Sequence, residues 1–220
     1  MTGWQAIAGE RLMLYSPIGL NLIDDLTGKP AQGELIVTLD ERDSVGDWHE
    51  TRLEAVRSLS NALLYPGLGR SAAVAATPVR RYRIRIDTLW YRPDYLMTDA
   101  GIEFDVHPYD DDTPPAATAS HPMDLFLLPS ANYPFPRHLR VLRGVAVDSG
   151  GDPVANVEVV EGPRERVLTD ARGEFALPLR WTALSGPVQI DAVDHRTGHN
   201  GSINVVLPAD LSHSNTITIN

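Results

Sequence analysis

Hydrophobic and polar residues alternate with a period of two along several stretches of the chain. Because successive side chains of a β-strand point to opposite faces, each stretch predicts a half-buried strand. The residues expected on core faces are Leu35, Val37 and Leu39, then Tyr82, Ile84 and Ile86, then Ile102, Phe104 and Val106, and finally Ile217 and Ile219. The residues expected to face water are Glu34, Ile36 and Thr38, then Arg81, Arg83 and Arg85, and then Glu103, Asp105 and His107.

Clusters of turn-forming residues separate these stretches. They read DDLTGKP, DSGGDP, TDARGE and DHRTGHNG, and the chain holds 17 glycines and 17 prolines. Short strands punctuated by Gly, Asp, Asn and Pro are typical of an antiparallel sandwich or barrel. The sequence therefore predicts an all-β protein.

Residues 50–66 admit two interpretations. Leu53, Val56, Leu59 and Leu63 are spaced three or four apart, as on one face of a helix. Ser and Asn residues at 58, 60 and 61 interrupt that segment, and these residue types prefer turns and caps. We favour a strand–turn–strand structure, and a helix remains the alternative.

The segment PSANYPFPRH contains three prolines, which donate no backbone hydrogen bond and stiffen the chain. It is the best linker in the sequence. We therefore predict an N-terminal arm at 1–16, a first β-sandwich domain at 17–130, a Pro-rich linker at 131–137 and a second β-sandwich domain at 138–220.

The two halves contain similar hairpin sequences. DLTGKPAQG occupies 25–33 and DSGGDPVAN occupies 148–156, so the glycines and the prolines of the two copies are each 123 residues apart. Each copy lies between two apolar runs, as a Gly-containing hairpin turn does. A duplicated module explains this similarity, and so do two independent hairpins with similar turns.

The C-terminal half resembles the carboxypeptidase regulatory-like module, a transthyretin-like β-sandwich of seven strands. The resemblance rests on GVAVD at 144–148, GDPV at 151–154, VEV at 157–159 and TDARGEF at 169–175. In the last motif we expect Thr169 and Asp170 to open a turn, Gly173 to adopt a positive φ, and Phe175 to return to the core.

The N-terminal half resembles the same family less closely, through IDD at 23–25, GKP at 28–30 and residues 56–68. Family members often have Gly where this chain has Asn61, and Asn also tolerates the left-handed conformation. The chain thus has a divergent module, the sequence YPFP and then a clear module. This layout resembles that of accessory proteins of contractile phage-tail-like particles. This resemblance implies two tandem Ig-like or transthyretin-like antiparallel β-sandwich domains.

Charge and composition limit the partners and the compartment. Lys and Arg number 19 against 29 Asp and Glu, for a net charge of −10, which disfavours nucleic acids and anionic membranes. The sequence has no cysteine, so it offers no disulfide, thiolate or Cys-ligated zinc. The first residues lack the pattern of a signal peptide, and no apolar run is long enough to span a membrane. We expect a cytoplasmic protein, with incorporation into a released particle as an option.

Clusters with possible metal chemistry are weak. His195 and His199 are four apart, with Asp191 and Asp194 beside them, but the intervening Gly198 predicts a loop. The acidic run at 110–112 lacks the spacing of a calcium loop. We therefore predict no metal and no cofactor.

No enzyme signature stands out. Enzymes with a transthyretin-like fold carry a Tyr-Arg-Gly-Ser C-terminus or iron ligands that include an H-x-H pair, and this sequence has neither. It also lacks a nucleophile elbow and a P-loop. We therefore predict no catalytic residue.

Arginines and tryptophans are the remaining candidates for recognition. The arginines at 80, 81, 83 and 85 admit two interpretations. They could form a stripe that docks a partner, or they could pair with Glu103 and Asp105 across the sheet, which is the interpretation that we favour. Trp90 and Trp181 are expected in the core, although Trp90 with Tyr91 is the best aromatic surface. Trp4, Ile7, Leu12, Met13 and Leu14 make the N-terminal arm apolar.

We conclude that the sequence favours a non-catalytic structural or interaction protein, an assembly component of a larger particle such as a phage-tail-like contractile system. Its expected partners are proteins, namely particle subunits or further copies of the chain. The alternative function is a glycan- or peptide-binding β-sandwich module that uses edge strands or the surface at Trp90.

Overall fold

The computed structural model describes residues 14–115 and 121–220, and this part of the chain is mostly β-structure. The strands are β1 (Gly19–Asp24), β2 (Lys29–Pro30), β3 (Ile36–Arg42), β4 (Trp48–Glu50), β5 (Val56–Arg57), β6 (Leu63–Leu64), β7 (Arg80–Asp87), β8 (Tyr91–Pro93), β9 (Ile102–Val106), β10 (Met123–Pro129), β11 (Val141–Val147), β12 (Glu158–Glu161), β13 (Glu165–Leu168), β14 (Glu174–Pro178), β15 (Gly186–Val193), β16 (Asn200–Leu207) and β17 (Asn215–Thr218). Short 3-10 helices occupy Val74–Ala76, Asp94–Met97 and Ala209–Ser212. The all-β class is confirmed, and none of the helices in the described residues could cross a membrane.

The strands form four sheets. The first has the order β5-β6-β1-β10-β8, with β2 paired to β1, and the second has the order β4-β3-β7-β9. The third has the order β14-β11-β17, and the fourth has the order β13-β12-β15-β16.

The chain divides into two compact units. One unit holds the described residues of 1–20, 39–83 and 103–123, and the other holds 21–38, 84–102 and 124–220. Both units are discontinuous in sequence. The predicted arm, domains and linker with boundaries at 16, 130 and 137 stay a prediction.

In the first unit, residues 50–66 contain no helix. β5 and β6 form an antiparallel hairpin in which Val56 pairs with Leu64 and Arg57 pairs with Leu63. Asn61 in the connecting turn has a φ of 66°, in the left-handed region that we expected of it. The strand–turn–strand interpretation is therefore confirmed and the helical alternative is wrong, because the polar residues at 58–61 form the turn.

The described end of the predicted N-terminal arm is tied to the first unit. The ring of Tyr15 meets Tyr109 edge-on at 5.2 Å, and Gly67 donates a backbone hydrogen bond to the Tyr15 carbonyl. The Ser16 hydroxyl accepts a hydrogen bond from the Tyr65 amide. Leu14 is half exposed, whereas Trp4, Ile7, Leu12 and Met13 lie outside the described residues.

In the second unit, the third and fourth sheets enclose one hydrophobic core. All of its buried members lie within 142–219: Leu142, Ala146, Val157, Val159, Val167, Phe175, Leu177, Leu179, Ile190, Ala192, Val205, Leu207, Ile217 and Ile219. Both sheets contribute inward-facing side chains, so residues 141–218 form a β-sandwich of seven strands.

One strand pair of this sandwich departs from the antiparallel prediction. β17 runs parallel to β11, with Gly144 opposite Asn215 and Val147 opposite Thr218. The chain leaves the fourth sheet after β16, turns through Ala209–Ser212, and enters the third sheet in the direction of β11. That crossing between sheets is what makes a parallel neighbour possible.

The TDARGEF motif folds as its residues predict. The buried Thr169 hydroxyl donates to the Val154 carbonyl at 2.7 Å and accepts from the Val157 amide at 2.9 Å. Gly173 has a φ of 71°, and Phe175 is buried in the core. This turn therefore joins β13 and β14 while it satisfies its own polar groups.

Candidate interaction surface

The arginine run on β7 pairs with carboxylates. Tyr82, Ile84 and Ile86 are buried, as the alternation predicts. On the opposite face, Arg81 pairs with Glu103 at 2.9 Å and with Asp105 at 3.6 Å, and Arg83 pairs with Asp40 at 2.7 Å. Arg80, at the start of the strand, pairs with Glu41 at 2.9 Å. Pairing across the sheet is therefore confirmed.

One arginine of this strand differs from the predicted alternation. Arg83 is largely buried rather than facing water, because its guanidinium pairs with Asp40, which is only 2% exposed. On the other side, the carbon of the Arg83 guanidinium lies 4.6 Å from the centroid of the Trp48 ring. A carboxylate and an aromatic face together replace water around this arginine.

The acidic and histidine candidates also have structural roles. Asp110 accepts hydrogen bonds from the amides of residues 112 and 113, and Asp111 pairs with Arg70. His195 contacts Glu158 at 2.6 Å. Across 14–115 and 121–220, no group of three or more His, Asp or Glu side chains could hold a metal ion.

Of the two tryptophans expected in the core, one is exposed. Trp90 is half buried against Gly33, but 65% of Trp181 is exposed to solvent, so the core prediction for Trp181 is wrong. Leu184, three residues later, is 78% exposed. Both lie in the connection between β14 and β15.

One arginine fixes the backbone of this connection. The Arg140 guanidinium donates hydrogen bonds to three carbonyls, at 2.7 Å to Ala183, 2.7 Å to Thr182 and 3.1 Å to Leu179. Arginine carries five N–H donors in a rigid plane, so it can hold several carbonyls at once. These hydrogen bonds tie the loop backbone to Arg140, while the side chains of Trp181 and Leu184 stay exposed.

A positive charge borders the exposed indole. The Arg164 guanidinium carbon lies 5.5 Å from the centroid of the Trp181 ring, within the range of a cation–π interaction. Within the described part of the chain, no carboxylate forms an ion pair with Arg164. We call the side chains of Arg164, Trp181 and Leu184 the Trp181 surface.

A buried ion pair supports the start of the same loop. Arg180 donates to both carboxylate oxygens of Glu165, at 2.9 Å from Nε and 3.0 Å from Nη2, and its Nη1 donates to the Leu26 carbonyl. The hydrogen bond with Glu165 raises the pKa of Arg180. Glu165 is fully buried, so this charged pair fixes Arg180 directly before Trp181.

A second buried carboxylate, that of Asp24, lies in the second unit and was not apparent from the sequence. Its Oδ2 accepts hydrogen bonds from the hydroxyls of Tyr133 at 2.7 Å and Tyr91 at 3.5 Å, and its Oδ1 accepts from the amides of Leu26 and Thr27. Burial, followed by the bond to Asp24, raises the pKa of Tyr133. The only sequence signal was a tyrosine among prolines in the predicted linker, at Tyr133.

Comparisons with known proteins identify no family. No protein family and no curated protein matches the chain. Among solved structures, a point mutant of the shaft pilin SpaA from Lactobacillus rhamnosus GG aligns over 94% of this chain and 98% of its own, with 11% identity and a TM-score of 0.25. A likeness at this level is compatible with an all-β protein and assigns no function.

Proposed function

We propose that the chain is a non-catalytic interaction protein that docks a protein partner through the Trp181 surface. The observation that supports this most strongly is the exposure of Trp181 and Leu184 on a loop whose carbonyls are held by Arg140. Burying a large apolar side chain contributes about 1.5–3 kcal/mol, and this contribution is unused in the free chain.

The rigidity of the loop favours docking. Binding to a mobile loop loses conformational entropy, because the loop becomes ordered. A loop already held by three hydrogen bonds loses less entropy on binding. Tryptophan and arginine are also the residue types enriched at the energetic centres of protein interfaces. The Trp181 surface provides both, side by side, on a preorganised backbone.

The charge of this surface indicates the chemistry of the partner. Arg164 is a cation beside exposed apolar groups, in a chain whose net charge is −10. An apolar pocket with an acidic rim would accept the indole and leucine while it pairs with Arg164. We therefore propose a protein partner with such a pocket.

The finer version of this proposal is a subunit of a contractile phage-tail-like particle, folded in the cytoplasm and built into a larger assembly. It is supported by the resemblance of the sequence layout. Sheath, tube or baseplate genes beside the gene for this chain would favour it, and genes for polysaccharide enzymes would favour the glycan-binding alternative.

The test places a photo-cross-linking amino acid at position 181 in the full chain, expressed in its native host. We expect one discrete cross-linked protein, and Trp181→Ser and Arg164→Glu should each abolish its co-purification without lowering the melting temperature. Leu59→Ser is the matched control, because Leu59 is fully exposed in the turn between β5 and β6. Equal co-purification with wild type and Trp181→Ser would contradict the proposal, as would cross-links only to further copies of the chain.

A further inference from the structure

A pocket of about 310 Å³ opens beside the β1–β2 hairpin in the second unit. Three aromatic residues, Trp90, Tyr91 and Tyr133, form its walls, and its polar lining residues are Asp24, Thr27, Lys29 and Gln32. Ligand-binding pockets in proteins start at about 300 Å³, so this one suits a single small ring.

The tyrosine walls are rigid. The hydroxyls of Tyr91 and Tyr133 both donate to Asp24, which is 5% exposed. The Tyr91 hydroxyl also accepts a hydrogen bond from the backbone amide of Gln32 at 3.3 Å. The rings of Tyr91 and Tyr133 meet edge-on at 5.5 Å. Because Asp24 already accepts four hydrogen bonds, these groups shape the pocket and leave ligand recognition to others.

The indole of Trp90 is held by a glycine. A Cβ atom on Gly33 would lie 2.6 Å from Cε3 of the Trp90 ring, closer than any real contact, and Gly33 has a φ of +89°. Gly33 therefore lets the indole approach the backbone and fixes the ring that borders the pocket.

Polar side chains that could bind a ligand lie beside these aromatic walls. Lys29 is the only lysine of the sequence, it is exposed, and no carboxylate of the described residues forms an ion pair with it. The side chain of Gln32 is exposed beside it, and the Thr27 hydroxyl accepts from the Lys29 amide at 3.4 Å, so it can still donate. Besides the buried Asp24 carboxylate, which already accepts four hydrogen bonds, the pocket thus offers one cation, one amide and one hydroxyl.

We propose that this pocket binds a carboxylated sugar, such as the uronic acid unit of an acidic glycan. The C–H faces of a pyranose ring suit aromatic walls, Lys29 would pair with the ligand carboxylate, and Gln32 and Thr27 would bind ring hydroxyls. Lys29 is the cationic side chain among the described residues that line the pocket, so a ligand carboxylate would gain a charge-assisted hydrogen bond that a neutral sugar lacks.

The test titrates the full chain with methyl glucuronide and with neutral methyl glucoside, following amide NMR shifts and Trp fluorescence. With the glucuronide, we expect the amide signals of residues 27–33 and 90–91 to shift. The glucoside should bind about tenfold more weakly, because it lacks the carboxylate that forms a charge-assisted hydrogen bond with Lys29. Lys29→Gln should reduce glucuronide binding to the glucoside level, and Trp90→Leu should weaken both. Arg137→Gln, an equal charge change at an exposed residue, should alter neither.

A second measurement uses the wild-type chain. Amine-specific acetylation can modify only Lys29 and the N-terminal amine, so mass spectrometry reports Lys29 directly. Bound glucuronide should protect Lys29 and leave the N-terminus reactive. Equal affinity for both sugars, unchanged binding by Lys29→Gln, or protection by sodium acetate as strong as by glucuronide would each overturn the proposal.

Discussion

The hydroxyl of Tyr133 donates a 2.7 Å hydrogen bond to the carboxylate of Asp24, 109 positions earlier in the sequence. Tyr133 belongs to the Pro-rich segment that the sequence predicts as a linker. Its ring also packs against Phe135, with centroids 4.8 Å apart. Since a buried carboxylate needs its donors, this segment anchors a charged group as well as connecting two parts of the chain.

Removing the Tyr133 hydroxyl should destabilise the protein. Tyr133→Phe keeps the ring but leaves Asp24 with one donor fewer, which should lower the free energy of unfolding by about 1–3 kcal/mol in urea denaturation. Tyr65→Phe is the matched control, because the Tyr65 hydroxyl is buried and no described residue forms a hydrogen bond with it. That variant should be as stable as wild type or more so. Equal losses in both variants would contradict a stabilising hydrogen bond between Tyr133 and Asp24.

Alkaline pH should destabilise the protein through Tyr65. Burial raises the pKa of Tyr65 from 10.0 to about 12 in the folded chain. The folded state therefore holds this proton at pH values where the unfolded state has lost it, so the stabilisation is present below pH 10 and lost as pH rises to 12. Melting temperatures between pH 9 and pH 12 should fall less steeply for Tyr65→Phe than for wild type, and parallel curves would contradict the assignment.

Gly201 should tolerate no side chain. A Cβ atom there would lie 2.0 Å from the Thr218 carbonyl oxygen, where the backbones of β16 and β17 approach closely. Gly201→Ala should destabilise the protein by about 1–3 kcal/mol or more, as measured by thermal unfolding. Gly150→Ala is the control, because its nearest neighbour is a side-chain oxygen of Asp148 at 3.2 Å. A neutral Gly201→Ala variant would contradict this close approach.

The fragment 138–220 should fold alone. Every buried residue of the sandwich core lies within it, and so does the ion pair of Glu165 with Arg180. It lacks Asp25, which pairs with Arg166 at 3.1 Å, so its melting temperature should be lower than that of the full chain. Calorimetry should show one cooperative transition, which the core variant Ile190→Asp should abolish. A molten fragment would contradict the predicted domain boundary.

Deleting residues 1–13 should reduce association and spare stability. This deletion keeps Tyr15 and Ser16, whose hydrogen bonds tie them to the first unit. The removed residues include Trp4, Ile7, Leu12 and Met13, which we propose are used for assembly. Sedimentation should show fewer oligomers or less partner binding, with a nearly unchanged melting temperature. A large loss of monomer stability would instead place these residues in the core of their own domain.

Local chemistry explains which features could be predicted from the sequence. The burial of alternate residues on β7, the turn at Gly173 and the left-handed Asn61 follow from neighbouring residues, and the structure has all three, although Arg83 is largely buried as well. The parallel pairing of β17 with β11 was missed, because strand direction depends on how a distant segment crosses between sheets.

The candidate site depends on tertiary structure to a greater degree. The sequence by itself determined an acidic all-β chain with short strands, Gly-rich turns and no catalytic motif. It could not show that Trp181 is exposed, since a tryptophan beside a strand fits a core equally well and only the position of the β14–β15 connection decides. The tyrosine partners of Asp24 and the carbonyl partners of Arg140 lie 39 to 109 residues away, and folding alone brings each charged group to these donors and acceptors.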